Sequence, residues 1–149
     1  MSSAITLPAE YGYVLFAAST TFFVNTLHGV LTSKARKAAG IKYPTSYASA
    51  EVAEKDHNAY LFNCAQRAHN NFTENLTPFL GALLISGLKY PTQAAMLGFT
   101  WSAARVLFAV GYTTKGPSGR MVGSIAGSLV DIMLKVTAAY TALGYAMNW

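Results

Sequence analysis

Residues 11–31 read YGYVLFAASTTFFVNTLHGVL, and none of these twenty-one positions carries a formal charge. An α-helix rises about 1.5 Å per residue, so this segment can cross a bilayer hydrocarbon core of roughly 30 Å. Residues 1–10 contain no Lys or Arg, whereas a cleaved signal peptide has a basic leader before its apolar core. The stretch therefore predicts a retained transmembrane helix.

The composition of the whole chain supports a membrane protein. Of 149 residues, 52% are hydrophobic and only 11% are charged, whereas soluble domains carry roughly 25% charged residues. The single cysteine, Cys64, excludes an intramolecular disulfide framework, and three scattered histidines predict no metal site. The net charge of +5 is spread over loops and does not form the basic patch of a nucleic-acid-binding protein.

Three more stretches of spanning length follow the first, and turn formers separate them. Lys89-Tyr90-Pro91 and the segment 115–119, which reads KGPSG, mark two of the breaks. The sequence therefore predicts an all-α integral membrane four-helix bundle that forms a single domain over residues 1–149. The predicted helices cover about 11–31, 59–88, 93–113 and 121–147.

The distribution of basic residues predicts the orientation of these helices. Of the eleven Lys and Arg residues, five lie in loop one (residues 33–58), one in loop two and two in loop three, while three lie within helices. Loops one and three share a side and together hold seven bases against one. The positive-inside rule then places both loops in the cytosol and both termini on the lumenal side.

Polar side chains occupy one face of the second predicted helix. At 100° per residue they form a stripe about 100° wide, which comprises Asn63, Arg67, Asn70, Asn71 and Glu74. Charged side chains at mid-membrane cost about 2.5 to 3.5 kcal/mol each, so this stripe is not expected to face lipid. It either forms interhelical hydrogen bonds or lines a polar cavity.

The third predicted helix offers a matching face, where Arg105, Phe108 and Tyr112 follow Trp101 at helical spacing. Arg120 ends loop three. Several guanidinium groups that converge with a carboxylate and amides suit a small zwitterionic ligand with more than one carboxylate, because Arg binds carboxylates bidentately.

These residues carry a family resemblance. The run FNCAQRAHNN at residues 62–71, followed by Glu74 and Pro78, resembles the second-helix signature of the membrane-associated proteins in eicosanoid and glutathione metabolism. EYGYVL at 10–15, SKARK at 33–37, KYP at 42–44 and RVL at 105–107 support it. The resemblance extends from Glu10 to about Gly127, and it is strongest to the type 3 microsomal glutathione S-transferase branch.

The resemblance implies a homotrimer in the endoplasmic reticulum or nuclear envelope, with glutathione as co-substrate bound between subunits. The implied activity is glutathione transfer to lipophilic electrophiles and glutathione-dependent reduction of lipid hydroperoxides. It implies that Arg120 stabilises the glutathione thiolate as the catalytic residue, although Lys115 is another cation nearby. The glutathione-binding residues it implies are Arg67, His69, Asn71, Glu74, Arg105 and Tyr112, together with either Arg36 or Lys37 at the basic end of the first helix.

Two further readings remain open: a lipid-binding adaptor of the same family without catalysis, and a small four-span channel or transporter subunit. An adaptor has no need of a glutathione site, and a channel would spread polar residues through the full membrane depth.

In the fourth predicted helix, Asp131 and Lys135 are spaced i, i+4 and are expected to pair. Gly123 and Gly127 form a GxxxG pattern, which is typical of close helix packing.

Overall fold

The computed structural model describes residues 6–147, and the ends of the predicted domain, residues 1–5 and 148–149, lie outside them. The described part is helical and contains no strand. Its helices are α1 (Tyr11–Ala39), α2 (Ala50–Lys55), α3 (His57–Gly87), α4 (Pro91–Lys115) and α5 (Met121–Met147), with a 3-10 turn at Gly116–Ser118. The all-α prediction is confirmed.

The predicted end of the first helix at residue 31 is wrong, because α1 continues for eight more residues. The buried stripe of α1 extends through His28, Thr32 and Arg36 at a spacing of four, so tertiary packing holds the basic segment helical. Gly40 then ends the helix in the left-handed conformation at φ 65°. The other predicted boundaries lie within two residues of those observed.

Loop one is shorter than predicted, and the short helix α2 lies within it. Ser49 begins α2 by accepting a hydrogen bond from the amide of Val52. Asp56 begins α3 in the same manner, since its carboxylate accepts a 2.8 Å hydrogen bond from the amide of Asn58. Pro91 opens α4, where the absence of an amide hydrogen costs nothing.

The four long helices pack side by side. α3 and α4 contact each other, and α1 and α5 each pack against both of them. Trp101 of α4 stacks on Phe79 of α3 with 3.7 Å between ring centroids, and Phe72 lies 5.8 Å from the same ring. Polar contacts also join the helices, because the Ser86 hydroxyl donates to the Leu134 carbonyl at 3.0 Å.

Within residues 6–147, three helices are long and apolar enough to cross a membrane: those that begin at Tyr11, Pro91 and Met121. Large apolar side chains on the outer faces of α1 and α5 are exposed, among them Phe23, Val122 and Leu129. The fourth long helix, α3, is not among these candidates, because polar residues occupy its first half. The first half of α3 therefore contains the polar residues of the candidate site.

Candidate functional site

Arg67 and Glu74 form an ion pair on the outer face of α3. One guanidinium nitrogen of Arg67 lies 3.2 Å from a carboxylate oxygen of Glu74, seven residues further along the helix. The two side chains are 52% and 54% exposed. Because both groups remain accessible, each can leave its partner and bind the opposite charge of a ligand. Arg67 can bind a carboxylate, and Glu74 can bind an ammonium group.

Arg105 and Asn71 form the second pair, in the interior between α4 and α3. Arg105 is only 6% exposed, and one terminal nitrogen donates to both the side-chain oxygen of Asn71, at 2.7 Å, and its backbone carbonyl, at 3.0 Å. The guanidinium lies 5.2 Å from the Trp101 ring centroid and 4.9 Å from that of Phe108. The predicted common face of Trp101, Arg105 and Phe108 is thus confirmed.

The third pair, Arg120 and Tyr112, lies at the end of the molecule that holds loops one and three. The Arg120 guanidinium is 4.8 Å from the ring centroid of buried Tyr112, which meets Phe108 edge-on. Arg120 is also within electrostatic reach of the Cys64 thiol. Lys115, the other cation of loop three, is exposed and lines a groove of about 520 Å³ between α4 and α5.

Within one chain, two residues of the predicted glutathione site lie apart from the Arg67–Glu74 pair. Arg36 is buried between the rings of Tyr43 and Phe62, at 4.2 and 4.5 Å from their centroids, and donates a 2.6 Å hydrogen bond to the Thr45 carbonyl. These contacts hold loop one against the helices. The structure therefore does not bring Arg36 to the Arg67 pair.

His69 also points away from that pair. Its ring lies 5.9 Å from that of His28, so it packs toward α1, on the side of α3 opposite Arg67. The Nδ1 atom of His69 is buried and has no hydrogen-bond partner among residues 6–147. Within one chain, His69 therefore faces α1, and its proposed part in the site stays a prediction.

The polar stripe of α3 divides among several contacts. The Asn63 side chain accepts from the amide of Ala48 at 2.8 Å and donates to its carbonyl at 2.9 Å, so it fastens loop one. The Asn70 amide donates to the hydroxyl of Tyr47, also in loop one, at 2.8 Å. Of the stripe, Asn71 therefore forms an interhelical hydrogen bond with Arg105, as the first interpretation predicts, whereas Asn63 and Asn70 bond to loop one.

Comparison with known proteins identifies the group to which this architecture belongs. The model of the MAPEG family, the membrane-associated proteins in eicosanoid and glutathione metabolism, matches residues 14–140. The chain belongs to the MAPEG family. A relative of this MAPEG protein, the uncharacterized protein sll1147 of Synechocystis sp., is 33% identical over 134 residues, which cover 87% of this chain and 90% of the relative. The predicted family is confirmed, and with it the integral membrane location.

Sequence analysis missed Tyr60 as a neighbour of the Arg120 pair in this MAPEG protein. The Tyr60 hydroxyl lies against Gly116, the residue that follows α4, and Tyr60 lies near Cys64 and Tyr112. Tyr60 and Cys64 are spaced i, i+4 in the sequence, so helical periodicity would have placed them on one face. Within the described chain, no group of three or more His, Cys, Asp or Glu side chains could hold a metal ion.

Proposed function

We propose that this MAPEG protein is a membrane-embedded glutathione transferase with glutathione peroxidase activity, similar to the type 3 microsomal enzymes. The family includes glutathione transferases and related proteins, which supports the general class. The exposed Arg67–Glu74 pair is the observation that carries the proposal for this chain.

The Arg67–Glu74 pair matches the charges of glutathione. The tripeptide carries two carboxylates and an ammonium group, so Arg67 binds a carboxylate bidentately while Glu74 accepts the ammonium. Their charged groups converge to 3.2 Å, which suits the ammonium and carboxylate that share one carbon at the γ-glutamyl end of glutathione. The exposure of both side chains leaves them able to bind it.

The location of this pair also supports the proposed homotrimer. A guanidinium and a carboxylate on the outer face of a membrane helix are costly beside lipid, so that face needs another cover. We propose that a second copy of the chain supplies it, with glutathione bound between the copies. In this arrangement α3 is the fourth span, because its polar half faces protein and ligand.

Arg120 is the proposed catalytic residue. A thiol reacts as its thiolate, and a guanidinium in low-dielectric surroundings lowers the pKa of a bound thiol. Arg120 lies on the face of Tyr112 at the end of the molecule proposed to face the cytosol, where glutathione enters. Apolar substrates arrive from the bilayer.

The thiolate has two proposed reactions. Attack on a carbon of an epoxide forms a C–S bond and breaks a C–O bond, and the alkoxide that results takes up a proton, which gives a hydroxy thioether. Attack on the terminal oxygen of a lipid hydroperoxide breaks the O–O bond, and the departing alkoxide takes up a proton to become an alcohol. The glutathione sulfenic acid that remains reacts with a second glutathione to give the disulfide and water.

The test is a calorimetric titration of glutathione into the purified protein in detergent. Millimolar or tighter binding is expected for the wild type. Arg67→Leu is expected to weaken it at least about 30-fold, because loss of a charge-assisted contact costs about 2 kcal/mol or more.

Glu51→Gln is the matched control, since Glu51 forms an exposed ion pair with Lys55 at 2.7 Å in loop one. It removes a similar pair away from the site and is expected to leave glutathione affinity unchanged. Absence of glutathione binding by the wild type, or an unchanged affinity in folded Arg67→Leu, rejects the glutathione site and favours the adaptor.

A further inference from the structure

A small polar cavity lies between α3, α4 and α5, and it reaches the surface at exposed Ser128. Its volume is about 30 Å³, and Asn75, Trp101, Arg105, Gly127, Ser128 and Asp131 line it. A single water molecule needs about 10–15 Å³ of such space and two to four polar partners. The cavity therefore has the size and the lining that an internal water requires.

Two side chains that line this cavity each have a buried polar atom without a partner among residues 6–147. These atoms are the Nε of Arg105, which is a hydrogen-bond donor, and the Oδ1 of Asp131, which is an acceptor. Arg105 is 6% exposed and Asp131 has a 13% exposed side chain, so bulk solvent does not supply the partners. The two charges interact electrostatically, although they form no direct salt bridge.

We propose that one ordered water molecule in this cavity accepts a hydrogen bond from Arg105 Nε and donates one to Asp131 Oδ1. Asn75 and Ser128 supply further oxygen atoms for its second hydrogen. Asp131 is then the counter-charge of Arg105 and a positioning residue. It fixes the guanidinium so that its other nitrogen donates to Asn71.

The second oxygen of Asp131 already has a partner, because Lys135 donates to Oδ2. The Lys135 side chain is 47% exposed, so it contacts Asp131 from the outer side of α5 while the cavity lies on the inner side. Asp131 therefore connects an exposed cation to a buried one. This arrangement does not depend on the proposed glutathione reaction.

The first test is a thermal-unfolding cycle in detergent with Asp131→Asn, Arg105→Met and the double variant. Asp131→Asn is expected to lower the melting temperature by at least about 4 °C in the wild-type background. In the Arg105→Met background it is expected to lower it by less than about 1 °C, because the buried charge that needs Asp131 is gone. Equal decreases in both backgrounds would overturn the proposal.

Lys135→Met provides the matched background. If Asp131 acts mainly on Arg105, the decrease caused by Asp131→Asn persists when Lys135 is replaced. A decrease that disappears in Lys135→Met and persists in Arg105→Met would assign Asp131 to Lys135 alone and overturn the proposal.

The second test uses the wild-type protein, so it does not depend on whether Asp131→Asn folds. A density map of the wild-type protein that resolves ordered waters is expected to show one within hydrogen-bond distance of both Arg105 Nε and Asp131 Oδ1. A direct contact between the two side chains, or a dry cavity, would contradict it.

Discussion

At the scale of single residues, the guanidinium groups of this protein differ by what surrounds them. Arg36 lies between two aromatic rings and serves loop one, whereas Arg105 is buried in the interior and bonded to Asn71. Arg67 is half exposed, and Arg120 lies on the ring of Tyr112. Arg67 and Arg120 are the two that we propose to act on glutathione.

Replacement of Arg120 tests its proposed role in thiolate formation. Arg120→Ala is expected to lower turnover about 100-fold with both an epoxide and a lipid hydroperoxide, since both reactions begin from the same ionised sulfur. Glutathione affinity is expected to stay within about threefold of wild type. The residual rate should rise with pH toward a free thiol pKa of about 8.5, because solvent then performs the ionisation.

Lys115→Ala is the control for this experiment, since Lys115 is exposed and lines the outer groove. It is expected to keep the wild-type pH profile. If the defect that high pH repairs occurs in Lys115→Ala and not in Arg120→Ala, the mechanism stands and the assignment moves to Lys115. No effect from either replacement rejects electrostatic activation by this loop.

At the scale of elements, the packing of α5 on α4 depends on glycine. A methyl group at Gly123 would lie only 2.6 Å from the carbonyl oxygen of Ala104 and would also clash with the backbone of Phe108. A methyl group at Gly127 would lie 3.7 Å from the Ala104 side chain, which is an ordinary contact. The predicted GxxxG pattern is thus a close approach at its first glycine only.

The two glycines are expected to respond differently to the same substitution. Gly123→Ala should reduce the free energy of unfolding by about 1 to 3 kcal/mol, because the two helix backbones must separate. Gly127→Ala should be neutral or stabilising by up to about 1 kcal/mol, since Ala is the better helix former. Reversible unfolding in mild detergent measures both, and an equal loss in the two variants would contradict this account of the helix contact.

At the scale of the whole molecule, the described helices place loops one and three at one end and loop two at the other. α1 ends at Ala39 and α4 at Lys115, while α3 begins at His57 and α5 at Met121. α1 carries Arg36 and Lys37 in its last turn, where cations also complement the helix dipole. The end with the most basic residues is the one expected in the cytosol.

Labelling of single cysteines in sealed microsomes tests this orientation. In a Cys64→Ser background, Lys42→Cys in loop one and Ser118→Cys in loop three are expected to react with an impermeant maleimide from outside. Thr92→Cys at the start of α4 is expected to react only after the membrane is permeabilised. Protection of Lys42→Cys in intact vesicles would reverse the proposed topology.

The sequence alone determined the features that depend on local pattern. Hydropathy and turn residues located the four long helices, because the length of an apolar run and the position of Pro and Gly are local properties. The spacing of Asp131 and Lys135 predicted their ion pair, which is confirmed. The FNCAQRAHNN run led to the family, since its residue types and spacing are specific to that helix.

Tertiary structure decided which neighbour each polar side chain meets. Helical periodicity places Asn63, Arg67 and Asn71 on one stripe, but their contacts differ. Asn63 bonds to loop one, Arg67 lies on the outer face, and Asn71 bonds to Arg105. Likewise α1 continues to Ala39, where Arg36 packs against Phe62, a residue of another helix that is distant in sequence. Periodicity fixes the direction of a side chain around its own helix, whereas the packing of the other helices and loops fixes what lies in that direction.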